Sequence, residues 1–85
     1  MKISEKYLEY RITFSKDKAT GLIVAKVPTL GIADDGKGRE EALGNIKKMI
    51  AFHLECLFEE GQKIPIEKEL GEGIYVRVKH PARAA

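Results

Sequence analysis

A chain of 85 residues is long enough for one domain with a small core, since a chain of this size buries only about 60–65% of its extended surface on folding. Fifteen Lys and Arg against thirteen Asp and Glu leave a net charge of +2, too balanced to make a strong electrostatic footprint for DNA. No run of about 18 apolar residues is present to span a bilayer, and acids in MKISEKYLEY occupy the place where a secretion signal has its apolar centre, so a cytoplasmic location is expected. The single Cys56 cannot close an internal disulfide and reads as a small core residue in a reducing compartment. Asn45 and Gln62 are the only side-chain amides among many Lys and Glu, a composition that leans towards a thermophile.

From Lys6 to Phe14 the chain alternates, with Leu8, Tyr10, Ile12 and Phe14 on one face and Glu9, Arg11 and Thr13 on the other. This period of two predicts a half-buried first strand. Ser15 to Gly21, SKDKATG, is a turn by composition, and Leu22 to Val27 is rich in β-branched residues, so the two runs form a hairpin. Pro28 has no N–H for a ladder and ends the second strand. Leu30 to Ala33 then reads as a short third strand before a turn at Asp34, Asp35 and Gly36.

The stretch from Arg39 to Gly61, REEALGNIKKMIAFHLECLFEEG, has the one sustained helical periodicity in the chain. Ala42, Leu43, Ile46, Met49, Ile50, His53, Leu54 and Leu57 fall on one arc at 100° per residue. Gly38 is placed to cap the start, Glu40 and Glu41 suit the positive end of the helix dipole, and Gly61 suits the left-handed position just past the end. Phe52, Cys56 and Phe58 widen the apolar surface beyond what one sheet face covers. Phe52, Phe58, Leu22 and Val24 are therefore the expected surface of a homo-oligomer, a dimer or tetramer.

Beyond the helix, Pro65 stops any continuation, and Ile64, Ile66 and Leu70 are expected to pack a returning loop under the helix end. Gly73 to Lys79 alternates again, with Ile74, Val76 and Val78 inward and Tyr75, Arg77 and Lys79 outward, up to Pro81. The order is β-β-β-α-β, an α+β domain covering residues 1–85 with the helix on one face of the sheet.

His53 and Cys56, three residues apart on the helix, supply two metal ligands where a closed site needs more, so a buried, hydrogen-bonded histidine is the better reading. No nucleophile and base stand near one another, and neither a catalytic residue nor a cofactor site is expected. Gly36, Lys37 and Gly38 precede the helix, but they match no phosphate-binding motif and Glu40 and Glu41 oppose an anion there. Arg77, Lys79, His80 and Arg83 form a locally basic tail that can touch RNA or an acidic partner.

The segment from Gly21 to Pro65 resembles the HicB-like antitoxin family, of the UPF0150 type. That family's pattern is a strand ending in Pro-Asp-Leu-Pro-Gly-Cys, a Gly-Asp-Thr turn, Glu-Glu-Ala, and a helix closing in Ile-Pro. Pro28, Leu30, Gly31, Gly36, Glu40, Glu41, Ala42, Leu43, Leu54, Gly61, Ile64 and Pro65 fall on the pattern. The proline between Leu30 and Gly31 is missing, Ile32 replaces the cysteine, and Gly38 replaces the threonine cap. The resemblance implies a partial ribonuclease-H-like fold, with three antiparallel strands, the helix, and a fourth strand parallel to the first. It further implies a non-enzymatic antitoxin, or an orphan relative of one, that binds and blocks a HicA-type toxin, a small mRNA-cleaving ribonuclease. Many members of the family carry a C-terminal DNA-binding module, and none is expected in the single domain of residues 1–85. Ribonuclease H chemistry needs several carboxylates on two metal ions. Glu9 lies on the polar face of its strand and the fourth strand holds no acid, so that set is missing. A toxin that binds RNA presents a basic surface, which makes Asp34, Asp35, Glu59 and Glu60 the expected contact residues. An RNA-binding or regulatory accessory domain is the alternative reading.

Overall fold

The computed structural model describes residues 7–68 and 71–81. Strands β1 (Tyr7–Lys16), β2 (Ile23–Val27) and β3 (Ile32–Gly36) precede helix α1 (Arg39–Glu59), and β4 (Ile74–Lys79) follows it. They form one sheet in the order β3-β2-β1-β4, with α1 packed on one face. Alternation along β1 places Tyr10 and Ile12 against the helix, and the register brings Val76 beside Tyr10 and Val78 beside Leu8 on the same face. Ala25 and Val27 continue that face across β2. The helix closes the core with Ala42, Ile46, Ile50 and Leu54, a row spaced four residues apart and fully buried.

Local signals in the sequence account for the helix limits. Gly38 is the extended N-cap residue, with Glu40 and Glu41 in the first turn. Gly61 adopts φ 72°, its amide donates to the Phe58 carbonyl at 3.1 Å, and the Gln62 amide donates to Leu57 at 2.8 Å. These paired bonds satisfy carbonyls that the last helical turn would leave open. The Arg39 guanidinium lies 4.5 Å over the Phe14 ring and fastens the helix start to the sheet.

Four expectations are corrected. First, β4 runs antiparallel to β1, with Tyr7 opposite Lys79 and Ile12 opposite Ile74, so the sheet is antiparallel throughout and no fourth strand runs parallel to the first. The connection after the helix turns back along the sheet before β4 begins. The Tyr10 hydroxyl donates to the Pro65 carbonyl at 2.6 Å and the Arg11 amide to Glu67 at 3.0 Å, which holds the returning chain at mid-strand. Second, the third strand spans Ile32–Gly36 and not Leu30 to Ala33. Leu30 and Gly31 donate instead to the Val27 carbonyl in a tight turn, with Gly31 at φ 70°. Third, His53 is half-buried; Leu54 holds the buried place beside Ile50. Fourth, Ile74 has inward parity but is 41% exposed, and Ile66 in the returning loop is 59% exposed. Ile64 does pack against the core, whereas Leu70 and Arg83 lie outside the described residues.

Candidate functional site

The four acids expected to meet a partner do not share a surface. Asp34 and Asp35 belong to β3, a strand at the edge of the sheet, just before the chain turns into the start of α1. Glu59 and Glu60 sit at the other end of the 21-residue helix, a separation of about 30 Å at 1.5 Å per residue. The structure thus separates these acids into two places on the molecule.

The β3 edge is tied to the helix by a side-chain hydrogen bond. Asp35 pairs with Val24 and faces the open side of the sheet, while Asp34 pairs with Ala25 and has helix-side parity. The Asp34 carboxylate accepts the Asp35 amide at 2.8 Å, and the Asn45 side-chain amide reaches from the helix to donate to the Asp35 carbonyl at 2.8 Å. Gly36 completes the junction, because a Cβ there would stand 2.5 Å from the Ala42 amide nitrogen. Only a glycine lets the strand approach the helix backbone this closely. At the turn that follows, the Lys37 amide donates to the Glu41 carboxylate at 2.8 Å, so an acid of the chain itself occupies the helix start where a phosphate would otherwise sit.

The four residues expected at an oligomer surface are also dispersed. Phe52 is 67% exposed on the outer side of the helix, whereas Val24 is on the opposite face of the sheet and half-buried, as is Leu22 just before β2. Phe58 is 48% exposed and packs edge-on against the His80 ring, with centroids 6.3 Å apart. In the basic tail Arg77 pairs with Glu9 at 3.3 Å and lies over the Tyr7 ring at 5.5 Å.

One anchor that the sequence reading missed is Glu67. Its carboxylate accepts both the Arg11 amide at 3.0 Å and the Thr29 hydroxyl at 2.7 Å. Pro28 removes β2 from that side of β1, and Glu67 takes up the amide left there. Nothing in the local pattern around Glu67 marks it for this. Among the described residues no group of three or more His, Cys, Asp or Glu converges to hold a metal ion, and no helix is long and apolar enough to cross a membrane.

No protein-family model and no solved structure matches the chain. Over 59 residues the chain is 39% identical to the UPF0150 protein Ta0767 of the thermophilic archaeon Thermoplasma acidophilum, an alignment that covers 68% of this chain and 84% of the relative. With more than four-fifths of that relative spanned at this identity, the chain belongs to the UPF0150 family.

Proposed function

We propose that this chain is a HicB-like antitoxin or an orphan relative: a cytoplasmic protein-binding module that inhibits a small HicA-type mRNA-cleaving toxin by contact and catalyses nothing itself. The observation that carries the reading is the acidic edge strand. β3 ends the sheet and places Asp34 and Asp35 beside a backbone edge held in shape by Asn45 and Gly36, a rigid mount for carboxylates that meet a basic ribonuclease surface. The family resemblance of the segment from Gly21 to Pro65 supports the same partner class. A homo-oligomer belongs to this reading too. Phe52, two-thirds exposed, is the side chain that most needs cover.

The test is titration of a neighbour-encoded toxin with the purified chain while RNA cleavage is followed. Cleavage is expected to stop near one equivalent. Asp34→Lys combined with Asp35→Lys weakens that inhibition and its salt dependence, while Glu59→Lys with Glu60→Lys, at the far end of the helix, reports on the second acidic point separately. RNA cleavage by the chain alone, or tight RNA binding without effect on the toxin, overturns the reading. Light scattering at micromolar concentration tests the oligomer, and the mass of a monomer rejects it.

A further inference from the structure

The helix does not cover the sheet evenly. It lies mainly over β3 and β2, and its other flank leaves a groove of about 580 Å³ beside β4, the second edge strand. Gly44, Lys47, Lys48 and Ala51, spaced as one helical face, form one wall, and Val78 and Lys79 form the other. Three properties of this groove point to one kind of occupant.

Its floor is apolar and open. A Cβ at Gly44 would meet nothing within 4 Å, so that face has room for a side chain from elsewhere. Its rim is cationic: Lys47, Lys48 and Lys79 form no ion pair with any described residue, whereas nearby Arg77 is held by Glu9. Its third side is backbone. The Arg11 amide donates to Glu67 and therefore points away from β4, which makes Arg11 and Tyr75 a pair without mutual hydrogen bonds. Two steps along the ladder in each case, Arg77 opposite Glu9 and Lys79 opposite Tyr7 are pairs of the same kind. Arg77 and Lys79 consequently turn their amides and carbonyls to the open edge, where an added strand can bond them.

We propose that this groove captures an acidic peptide strand from a partner protein. The strand extends the sheet at β4, drops alternate apolar side chains between Val78 and the Gly44–Ala51 face, and turns its carboxylates to the opposite face beside Lys79, while Lys47 and Lys48 on the helix wall attract the acidic chain as a whole. A second copy of β4 does not fit the charge. Two-fold pairing of this strand with itself would bring Arg77 and Lys79 of each copy together beside two further pairs of lysines. RNA fits less well than peptide, because Tyr7, the aromatic ring at the groove, already carries the Arg77 guanidinium on one face and the apolar floor has no use for phosphate. The groove and the Asp34–Asp35 edge are at opposite ends of the sheet, so this capture stands apart from toxin inhibition.

Fluorescence anisotropy with a labelled, end-capped peptide of alternating valine and glutamate, six residues long like β4, tests the proposal. The peptide is expected to bind the full chain and to lose affinity as salt rises. Lys47→Glu with Lys48→Glu is expected to weaken it about tenfold, as is Gly44→Leu, which fills the groove while improving helix propensity. Methylating alternate peptide amides on the bonding edge weakens binding to a similar extent. Circular dichroism melts confirm that each variant is folded; should Gly44→Leu fail to fold, the exposed double lysine variant and the methylated peptide decide. Four outcomes overturn the proposal. They are no binding at low salt, binding indifferent to Gly44→Leu in a folded protein, displacement of the peptide by oligouridine, and loss of a dimer in Gly44→Leu, which would mean that a second copy fills the groove.

Discussion

The carboxylate of Glu67 accepts the amide of Arg11 across a sequence separation of 56 residues, at the place where β2 has stopped and β1 has no neighbouring strand on that side. A side chain there does the work of a missing strand, and with Thr29 bonded to the same oxygen it also secures the turn after β2. Glu67→Ala leaves a partly buried amide without an acceptor, at a cost of about 1–3 kcal/mol. Glu67→Gln keeps an acceptor oxygen and is expected to recover part of the loss. Urea midpoints of the three proteins check this; equal midpoints for Glu67→Ala and the parent would remove Glu67 from the fold's anchors.

Ile50 lies at the centre of the buried helical row, fully enclosed between Ile46 and Leu54. Truncation to alanine removes its transfer energy and leaves a cavity that a sheet on one side and a helix on the other cannot close. Ile50→Ala is expected to lower stability by about 2–5 kcal/mol. An unchanged melting temperature would show that the helix does not pack on this face.

The helix and its limits were legible because the signals are local: Gly38, Glu40, Glu41 and Gly61 each act within a turn of themselves. The direction of β4 was not, since alternation of Ile74, Val76 and Val78 reads the same for either direction. What sets it are bonds between distant residues, Tyr10 to Pro65 and Arg11 to Glu67. Asp34 and Asp35 followed by Gly36 imitate a turn, because Asp is disfavoured in strands; an edge strand tolerates them where a central one would not. The row Gly44, Lys47, Lys48 and Ala51 was present in the sequence as solvated helix surface. It became a groove wall only once β4 was known to be the edge strand beside it.

Gly36 and Gly44 make opposite predictions from the same substitution. At Gly36 a methyl group would overlap the Ala42 amide at 2.5 Å and the Glu41 backbone at 2.8 Å, so strand and helix must separate. Gly36→Ala is expected to cost about 1–3 kcal/mol. At Gly44 a methyl group meets nothing within 4 Å, and alanine removes a glycine from a helix interior, a gain of about 0.5–1 kcal/mol. Thermal melts of the two variants should move in opposite directions, and a shift of the same sign would contradict the placement of the helix start against β3.

Tyr10 links the core to pH. Its side chain is fully buried, and burial first, then the nearby Glu67 charge, raise its pKa from the ordinary 10.0 to about 12. The folded protein therefore holds this hydroxyl neutral and bonded to the Pro65 carbonyl, while the unfolded chain releases the proton more readily. With the folded value above the unfolded one, the contribution of Tyr10 is complete below pH 10 and is lost as pH climbs towards about 12. Stability should fall across that window. Tyr10→Phe cannot ionise, so it should abolish this part of the alkaline decline, while leaving the Pro65 carbonyl unbonded at a cost of about 1–3 kcal/mol at neutral pH. Denaturant midpoints of parent and variant between pH 7 and 12 separate the two effects. The curves are expected to lie apart at neutral pH and to converge above pH 10, and a constant gap across the range would show that Tyr10 ionises as freely in the folded protein as in the unfolded chain.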